Sequence, residues 1–227
     1  MKADKAGIVS VLKNRDFLAL WLSQLVSKIG DNFAVIAALV LVNELAERSG
    51  LAVVAIATAM TIPQLFALAS GVFIDRFSRK TVMIVSDLLR AGVILLALLV
   101  RSPDQLWILY VSAFLLMALS ALYIPARNAS IPNMVPEEDL LTANAFIQAT
   151  ELASLIVGAS LATLVITLTS TYTAFVVDAI TFLLSALFLV AAHIPMGPAT
   201  ATASGHGGEF RQFWREFTNG MRYIAGT

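Results

Sequence analysis

Six apolar runs dominate this chain, and each is long enough to cross a lipid bilayer. They cover roughly residues 17–43, 51–74, 81–100, 105–124, 140–167 and 172–193. A spanning helix needs roughly 20 mostly apolar residues. A water-soluble domain would have to cover such runs with charge, but only 13% of the residues are charged and the mean hydropathy is +0.84. The sequence therefore predicts an all-α integral membrane protein with six transmembrane helices.

Lysine and arginine are concentrated in one set of loops. If the N-terminus is cytoplasmic, the inner segments hold the bases at positions 2, 5, 13, 15, 76, 79, 80, 127, 211, 215 and 222, and the outer loops hold only Arg48 and Arg101. Short loops with an excess of Lys and Arg stay on the cytoplasmic side of a membrane. We therefore expect a multi-pass protein of the plasma (inner) membrane with both termini in the cytoplasm.

Composition divides the chain into four segments. Residues 1–16 are polar and cytoplasmic, residues 17–194 hold the six spans, and residues 195–209 have the Gly, Ala, Thr, Ser and Pro content of a flexible linker. Residues 210–227 place aromatic side chains at helical spacing beside arginines. That pattern indicates an amphipathic helix at the cytoplasmic lipid interface, or alternatively a helix that packs on a partner domain.

The loop after span two carries Gly71, Asp75, Arg76, Arg79 and Lys80 in close succession. Topology alone explains the three bases, which would anchor the loop at the anionic inner leaflet. Topology does not explain Asp75, which lowers the positive charge of the loop. A carboxylate in this place suits exposed N–H groups at the start of a helix, or a pair with Arg79.

The pattern Gly71-x-x-x-Asp75-Arg76-x-x-Arg79-Lys80 resembles the loop motif of the major facilitator superfamily, with Ser78 where that motif has Gly. Ile29-Gly30-Asp31 and Val177-Asp178-Ala179 are similar to its macrolide-efflux and enterobactin-exporter branch. The resemblance implies two inverted three-helix repeats, which form one half of a transporter. It also implies that the loop is a gating latch, with Asp75 facing a helix end of a C-terminal six-helix half.

Span one carries a polar stripe at its centre. Gln24, Lys28 and Asp31 lie at i, i+4 and i+7, so they share one face of the helix. A charge near the bilayer centre costs about 2.5–3.5 kcal/mol on insertion scales, so this face is expected to line a cavity or a helix interface. Lys28 and Asp31 can neutralise each other. The stripe is either a substrate or proton site or a structural ion pair, and we favour the site.

Span five repeats this spacing with Asn144, Gln148 and Glu151. Glu151 has no opposite charge within a helical turn of its own segment. It is therefore a candidate for protonation inside the membrane, or a partner for Lys28. We predict a substrate and proton pathway that contains Gln24, Lys28, Asp31, Gln148 and Glu151.

The remaining charges in or near the spans are assigned to structural charge pairs. Asp87 and Arg90 are an i, i+3 pair on span three, Asp178 stands alone in span six, and Arg127 follows span four. In the resembled fold, spans three and six lie outermost, away from the cavity. Charges in such places mostly serve the specificity of packing.

These features favour a secondary transporter, or its N-terminal half. It would export small amphiphilic molecules such as drugs or siderophores by alternating access, in exchange for protons, with its site near the midplane. One alternative is a non-transporting or partner-requiring half-module, because six helices cannot enclose the cleft between two halves. Another is an uptake facilitator of the same superfamily. The expected partners are a small-molecule substrate, protons, the lipid bilayer and the C-terminal half.

Other kinds of chemistry lack their residues in this sequence. The chain has no cysteine, its two histidines lack metal-ligand spacing, and no Gly-rich phosphate loop precedes a Lys-Ser/Thr pair. The net charge is +0, which gives no electrostatic footprint for nucleic acid. We therefore expect no enzyme activity, no metal, no cofactor and no nucleic-acid partner.

Overall fold

The computed structural model describes residues 10–46, 49–65 and 78–194, and within these ranges the regular structure is helical, with no strand. The α-helices are, in chain order, α1 Arg15–Leu45, α2 Gly50–Leu65, α3 Arg79–Leu95, α4 Leu106–Ser130, α5 Leu140–Leu168 and α6 Thr171–Ala191. Short 3₁₀ turns flank three of them, at Leu96–Leu99, Pro103–Gln105, Ile131–Asn133 and Glu137–Asp139. The helices therefore follow the order of the predicted spans.

Five helical segments of the described chain are long and apolar enough to cross a membrane: Arg15–Leu45, Arg79–Leu99, Pro103–Asn133, Glu137–Leu168 and Thr171–Ala191. The described part of α2 is apolar but has only 16 residues, because the predicted second span continues beyond the described residues. Large aliphatic side chains such as Leu152, Ile156 and Leu187 are exposed on the outside. Such a surface suits lipid. The predicted all-α membrane class is confirmed.

The helices pack in a pattern that relates the first three to the last three. In the first repeat, α2 packs mainly on α4, and α3 also packs on α4. In the second repeat, the corresponding helices α5 and α6 both pack on α1. α3 and α6 also contact each other extensively. If α1, α2 and α3 exchange places with α4, α5 and α6, the same set of helix pairs is in contact. Two structural repeats predict this symmetry. Because each repeat has an odd number of spans, the second repeat enters the membrane from the opposite side.

α1 runs without a break through its polar centre. Lys28 Nζ lies 3.1 Å from Asp31 Oδ2, and Asn32 Nδ2 donates to the carbonyl of Lys28 at 2.7 Å. The amide of Asn32 also donates to the carbonyl of Ser154 on α5 at 3.1 Å. The polar groups that interrupt the apolar run are thus bonded along the helix or to a neighbour, so they do not break the helix.

α4 is longer than the sequence predicted. The apolar run ends near residue 124, and Arg127 was expected after the span, but α4 continues through Pro125 to Ser130. A proline inside a helix removes one backbone donor, and its ring crowds the carbonyl of the preceding turn. The turn that follows it buries Ala126 and Arg127, and this packing offsets the lost hydrogen bond. Arg127 therefore lies within α4.

One end of the bundle gathers the segments that the sequence places in the cytoplasm. The N-terminal segment contacts both the connection between α4 and α5 and the end of α6. The hydrogen bonds run from Asn14 Nδ2 to Met134 O, from Ser10 Oγ to Asp139 Oδ2 at 2.7 Å, and from His193 N to Asp16 Oδ1 at 2.7 Å. Which side of the membrane this end faces stays a prediction from the basic residues.

Arg79 and Lys80 of the loop motif bind the ends of two other helices. Arg79 Nη1 donates to the carbonyl of Ala129 at 2.6 Å, in the last turn of α4. Lys80 Nζ donates to the carbonyls of Val190 at 2.8 Å and Ala192 at 2.7 Å, at the end of α6. The last carbonyls of a helix lack partners within it and favour cations. These two bases therefore connect α3 to α4 and α6, in addition to the anchoring at the lipid surface that the sequence predicts.

Replacing Lys80 with alanine is expected to loosen the end of α6. The loss of two carbonyl contacts to a partly solvated cation should lower the free energy of unfolding by about 1 kcal/mol. Thermal unfolding of the purified protein in detergent should then begin roughly 2–4 °C lower. Lys13→Ala is the matched control, because the Lys13 side chain is exposed and makes no hydrogen bond within the described chain. Equal shifts for both variants would contradict a capping role for Lys80.

The other members of the loop motif, Gly71, Asp75 and Arg76, lie outside the described residues. So do the linker at 195–209 and the amphipathic helix at 210–227. The latch and the interfacial helix therefore stay predictions.

Candidate functional site

Charged side chains from three helices meet at the centre of the bundle. This central charge cluster consists of Lys28 and Asp31 on α1, Asp87 and Arg90 on α3, and Asp178 on α6. Lys28 Nζ lies 3.1 Å from Asp31 Oδ2, and Arg90 Nη1 lies 3.8 Å from Asp31 Oδ1. Asp31 thus has one cation on its own helix and approaches a second cation on α3.

Arg90 is almost fully enclosed, with 2% of its side chain exposed. Its Nη2 pairs with Asp87 Oδ1, and Ser185 Oγ of α6 donates to Asp87 Oδ2 at 2.5 Å. The guanidinium carbon lies 4.7 Å from the ring centroid of Tyr123 on α4 and 4.5 Å from that of Phe182 on α6. A guanidinium between two aromatic faces gains cation–π attraction in addition to its ion pair. Arg90 therefore joins α3 to α4 and α6.

Asp178 is fully buried, yet it makes no ion pair within the described residues. Thr181 Oγ1 lies 3.2 Å from Asp178 Oδ1 and donates to it. The other oxygen, Oδ2, is buried without a hydrogen-bond partner in the described part of the chain. The sequence grouped Asp178 with structural charge pairs, and the described residues contain no such pair for it.

A small cavity lies beside Asp31 and Asp178, inside the bundle. Its volume is about 20 Å³. Within the described chain its polar lining is Asp31, Asp178 and Ser112, and the rest is apolar, including Phe175 and Phe182. A cavity of this size holds about one water molecule when polar groups can bind it. The cavity lies beside both carboxylates, but Asp178 itself has no accessible surface on it.

A second charged site joins α4 and α5. Arg127 Nη1 lies 3.0 Å from Glu151 Oε1, with 4% of the arginine side chain and 34% of the glutamate side chain exposed. Gln24 Nε2 of α1 lies 3.5 Å from the same Glu151 oxygen. Arg127 also donates to Asn128 Oδ1 from Nε at 3.1 Å and from Nη2 at 2.9 Å. The partner of Glu151 is therefore Arg127, whereas Lys28 pairs with Asp31.

The predicted pathway residues fall into two groups in the structure. Gln24 and Glu151 lie together beside Arg127, while Lys28 and Asp31 belong to the central charge cluster. Along α1, Gln24 and Asp31 are separated by about 10 Å at 1.5 Å per residue. Gln148 is exposed, and its side chain makes no hydrogen bond within the described residues. The stripe on α1 thus connects the two charged sites.

Two parts of this arrangement were missed from the sequence. Arg127 was expected to be structural, but it binds a residue of the predicted pathway. Tyr123 and Phe182 enclose Arg90 and were not singled out. Both omissions concern contacts between different helices, which spacing within one helix does not reveal. The closeness of Asp31, Asp87 and Asp178 was missed for the same reason.

The chain is similar to a known family of membrane transporters over most of its length. Residues 17–225 match the model of the Major Facilitator Superfamily. Over 176 residues the chain is 29% identical to the uncharacterized MFS-type transporter YfiS of Bacillus subtilis, which covers 77% of this chain and 42% of that protein. No solved structure matches the chain.

Two other relatives are named for efflux. The chain is 27% identical over 184 residues to macrolide efflux protein A of Streptococcus pyogenes, covering 79% of this chain and 45% of that protein. It is 28% identical over 132 residues to macrolide efflux protein A of Enterococcus faecalis, covering 57% of this chain and 41% of that protein. The chain spans about half the length of the curated relatives it matches.

Proposed function

Because this chain belongs to the Major Facilitator Superfamily, we propose that it forms the N-terminal half of a proton-coupled exporter of small amphiphilic molecules. The two macrolide efflux proteins among its relatives support macrolide-like drugs as the substrate class. Alternating access places the site between two six-helix halves, so a C-terminal half is the required partner. The relatives' greater length supports this requirement.

The observation that carries the proposal is the Arg127–Glu151 pair. Charges inside a membrane are costly, and they commonly mark substrate and ion pathways. Arg127 is buried, but Glu151 keeps 34% of its side chain exposed, so a proton or a substrate can reach this carboxylate. A structural pair of the kind first assigned to Arg127 has no need for such exposure.

Protonation of Glu151 would also change how three helices are held together. The pair joins α4 to α5, and Gln24 brings in α1. A proton on Glu151 neutralises the carboxylate and weakens its attraction to Arg127. A ligand that binds one state of a protein more tightly shifts the population toward that state. Proton binding at Glu151 thus offers a direct physical link to movement between facing states.

The proposal includes a location and a latch. The distribution of Lys and Arg supports a multi-pass protein of the inner membrane with cytoplasmic termini. In the loop motif, Arg79 and Lys80 are fixed on the ends of α4 and α6. Asp75 of the same motif would meet a helix end of the second half, as the resemblance implies.

Glu151→Gln is expected to reduce proton-driven export of a macrolide to background. The amide is the same size as the acid but cannot exchange a proton. The measurement is efflux of a labelled macrolide from an efflux-deficient bacterial host that makes the full-length protein, with and without a protonophore. Glu137→Gln is the matched control, because Glu137 is exposed in the connection before α5.

Two results would count against the proposal. Wild-type export that continues after the protonophore collapses the gradient would exclude proton coupling. Equal export by the Glu151 and Glu137 variants would exclude the Arg127–Glu151 pair from the pathway, while leaving the transporter assignment intact.

A half-module that works only with a separate partner is the second candidate. The chain spans about half the length of the curated relatives it matches, and alternating access needs a cleft between two halves. Expression of residues 1–227 with and without a separate C-terminal half distinguishes the two cases. Export that appears only when both halves are present would support the partner-requiring module.

A further inference from the structure

The described helices form two groups of three. In the α1 group, α1 packs on α5 and α6, and in the α4 group, α4 packs on α2 and α3. Among the described residues, the extensive contact between the groups is that of α3 with α6, whereas α1 and α5 approach the α4 group at few points. The two groups are thus joined closely along one side, the α3–α6 seam, and less closely along the other, the α1–α4 side.

The α3–α6 seam is hydrogen-bonded at both ends. At one end, Tyr172 Oη of α6 donates to the carbonyl of Val100, directly after the 3₁₀ turn that follows α3, at 2.7 Å. At the other end, Lys80 Nζ of α3 donates to the carbonyls of Val190 at 2.8 Å and Ala192 at 2.7 Å. Bonds at opposite ends of two helices resist sliding of one helix past the other.

A buried ion pair holds the middle of the seam. Ser185 Oγ of α6 donates to Asp87 Oδ2 of α3 at 2.5 Å, and Arg90 pairs with the other oxygen of Asp87. The guanidinium carbon of Arg90 also lies 4.5 Å from the ring centroid of Phe182 on α6. Separation of α3 from α6 would leave buried charges without partners, which is costly. A seam that is bonded at its ends and in its middle can serve as the axis of a bending movement.

The backbones of the α1 group lie very close to one another. A Cβ at Gly30 of α1 would lie 2.8 Å from the Cβ of Thr181 on α6. A Cβ at Gly158 of α5 would lie 2.9 Å from both the carbonyl oxygen of Ile29 and the Cβ of Asn32 on α1. Small residues allow helices in a membrane to approach this closely. Because no side chain lies between these backbones to repack, the α1 group is expected to move as one body.

Side chains, and not closely packed backbones, fill the α1–α4 side. The small cavity described above lies there, between α1 residues such as Ala34 and Val35 and α4 residues such as Leu116 and Met117. Its lining is mainly apolar. Unbranched side chains such as methionine adapt to irregular gaps by changing rotamer. This side can therefore repack without the loss of regular backbone structure.

Polar contacts link α4 to the α1 group on this side. Tyr123 Oη lies 3.3 Å from Ser23 Oγ on α1, and Arg127 Nη1 lies 3.0 Å from Glu151 Oε1 on α5. The second contact joins opposite charges and is the stronger one. Only 4% of the Arg127 side chain is exposed, and its hydrogen bonds to Asn128 involve a neutral amide. Without Glu151, Arg127 would be an uncompensated buried cation, and water that reached it would relieve that cost.

We propose that this half bends about the α3–α6 seam and that the Arg127–Glu151 pair holds its α1–α4 side closed. When the charge on Glu151 is lost, the bare charge of Arg127 favours hydration, and α2 and α4 swing away from α1 and α5. The space beside Glu151 then widens, so the pair controls the size of the cleft that this half presents. The bending lies within one half and is additional to the movement between two halves that alternating access requires.

Distances between pairs of spin labels, measured by pulsed electron paramagnetic resonance on the full-length protein in liposomes without substrate, test the bending. Residues 1–227 contain no cysteine, so each label binds at an introduced position, and single-cysteine variants supply the background. One pair is Ile124 on α4 with Leu155 on α5, and the other is Leu89 on α3 with Leu183 on α6, all exposed. In Glu151→Gln the α4–α5 pair should lengthen by about 3 Å, the diameter of a water molecule, and the seam pair should stay unchanged.

Two control variants examine the cause of the opening. Arg127→Gln combined with Glu151→Gln contains no buried charge at this site, so the α4–α5 distance should return to that of the wild type. Tyr123→Phe removes the hydroxyl that contacts Ser23 but keeps the Arg127–Glu151 pair, so this variant should stay closed. A double variant that stays open, or a Tyr123→Phe variant that opens equally, would overturn the role of the charge pair.

Two further results would overturn the bending itself. One is an α4–α5 distance in Glu151→Gln that equals the wild-type distance. The other is an equal lengthening of the α4–α5 pair and the seam pair, since the half would then loosen as a whole and not bend about α3 and α6.

Macrolide export by the same variants separates this inference from the function proposed above. The label distances are measured without substrate or gradient, so they do not depend on transport. Lengthening of the α4–α5 pair in a protein that exports no macrolide would leave the bending in place and overturn the proposed exporter. Export that is lost in Glu151→Gln without any lengthening would leave the exporter in place and overturn the bending.

Discussion

Replacing Asp87 with asparagine is expected to be among the most destabilising single changes in this protein. Asp87 is fully buried, accepts from Ser185 on α6 and pairs with Arg90 on α3. Removing one partner of a buried ion pair leaves an uncompensated charge and costs about 3–5 kcal/mol. The melting temperature in detergent should fall by roughly 6–20 °C. Retention of a monodisperse peak after heating provides the measurement.

Two further variants identify the cause of this loss. Asp87→Asn combined with Arg90→Gln removes both charges, so it should recover part of the stability lost in the single variant. Arg90→Lys keeps the charge but loses the planar group that lies between Tyr123 and Phe182, and it should fall between these cases. A double variant that is the sum of its single changes would show that the pair itself is not the source of the stability.

This result would also separate Asp87 from Asp178. Both are fully buried aspartates at the centre of the bundle, and composition alone does not distinguish them. Asp87 has a cation and a hydroxyl donor for its two oxygens, whereas Asp178 has one shared donor among the described groups. Asparagine is therefore expected to be harmful at position 87 and tolerated at position 178. The same chemical change thus tests two different sets of contacts.

The fold was largely predictable from the sequence because lipid imposes a simple length rule. Apolar runs of about 20 residues indicate spanning helices, and the order of the helices follows from them. The ends were less predictable: α4 passes through Pro125 to Ser130, since burial of Ala126 and Arg127 outweighs one missing donor. The roles of Arg79 and Lys80 at the ends of α4 and α6 depend on tertiary contacts. Hydropathy contains no information about such contacts.

The candidate site was predictable only within single helices. The spacing of Lys28 and Asp31 predicts their pair, and the spacing of Asp87 and Arg90 predicts theirs. The meeting of Glu151 with Arg127 depends on how α4 and α5 pack, so sequence spacing left Glu151 without its partner. The sequence also separated Asp31 from Asp178, although the fold places both at one cavity.

Gly30→Ala is expected to disturb the interface between α1 and α6. A Cβ at Gly30 would lie 2.8 Å from the Cβ of Thr181, and it would also overlap Thr181 Oγ1 and Asp178 Oδ1. Because the Cβ of Thr181 is fixed to its backbone, α1 and α6 must move apart to admit the methyl group. Overpacking of this kind costs about 1–3 kcal/mol, which lowers the melting temperature by roughly 2–12 °C.

Gly92→Ala is the matched control, because it makes the same change in α3 where a Cβ meets no atom within 4 Å. Alanine in an open helical position should stabilise the helix by about 0.5–1 kcal/mol relative to glycine. The two variants should therefore shift the melting temperature in opposite directions. If both raise it, α1 and α6 are not in the close contact described at Gly30. Adding Thr181→Ala to Gly30→Ala should restore part of the loss, since the hydroxyl that the new methyl group overlaps is then gone.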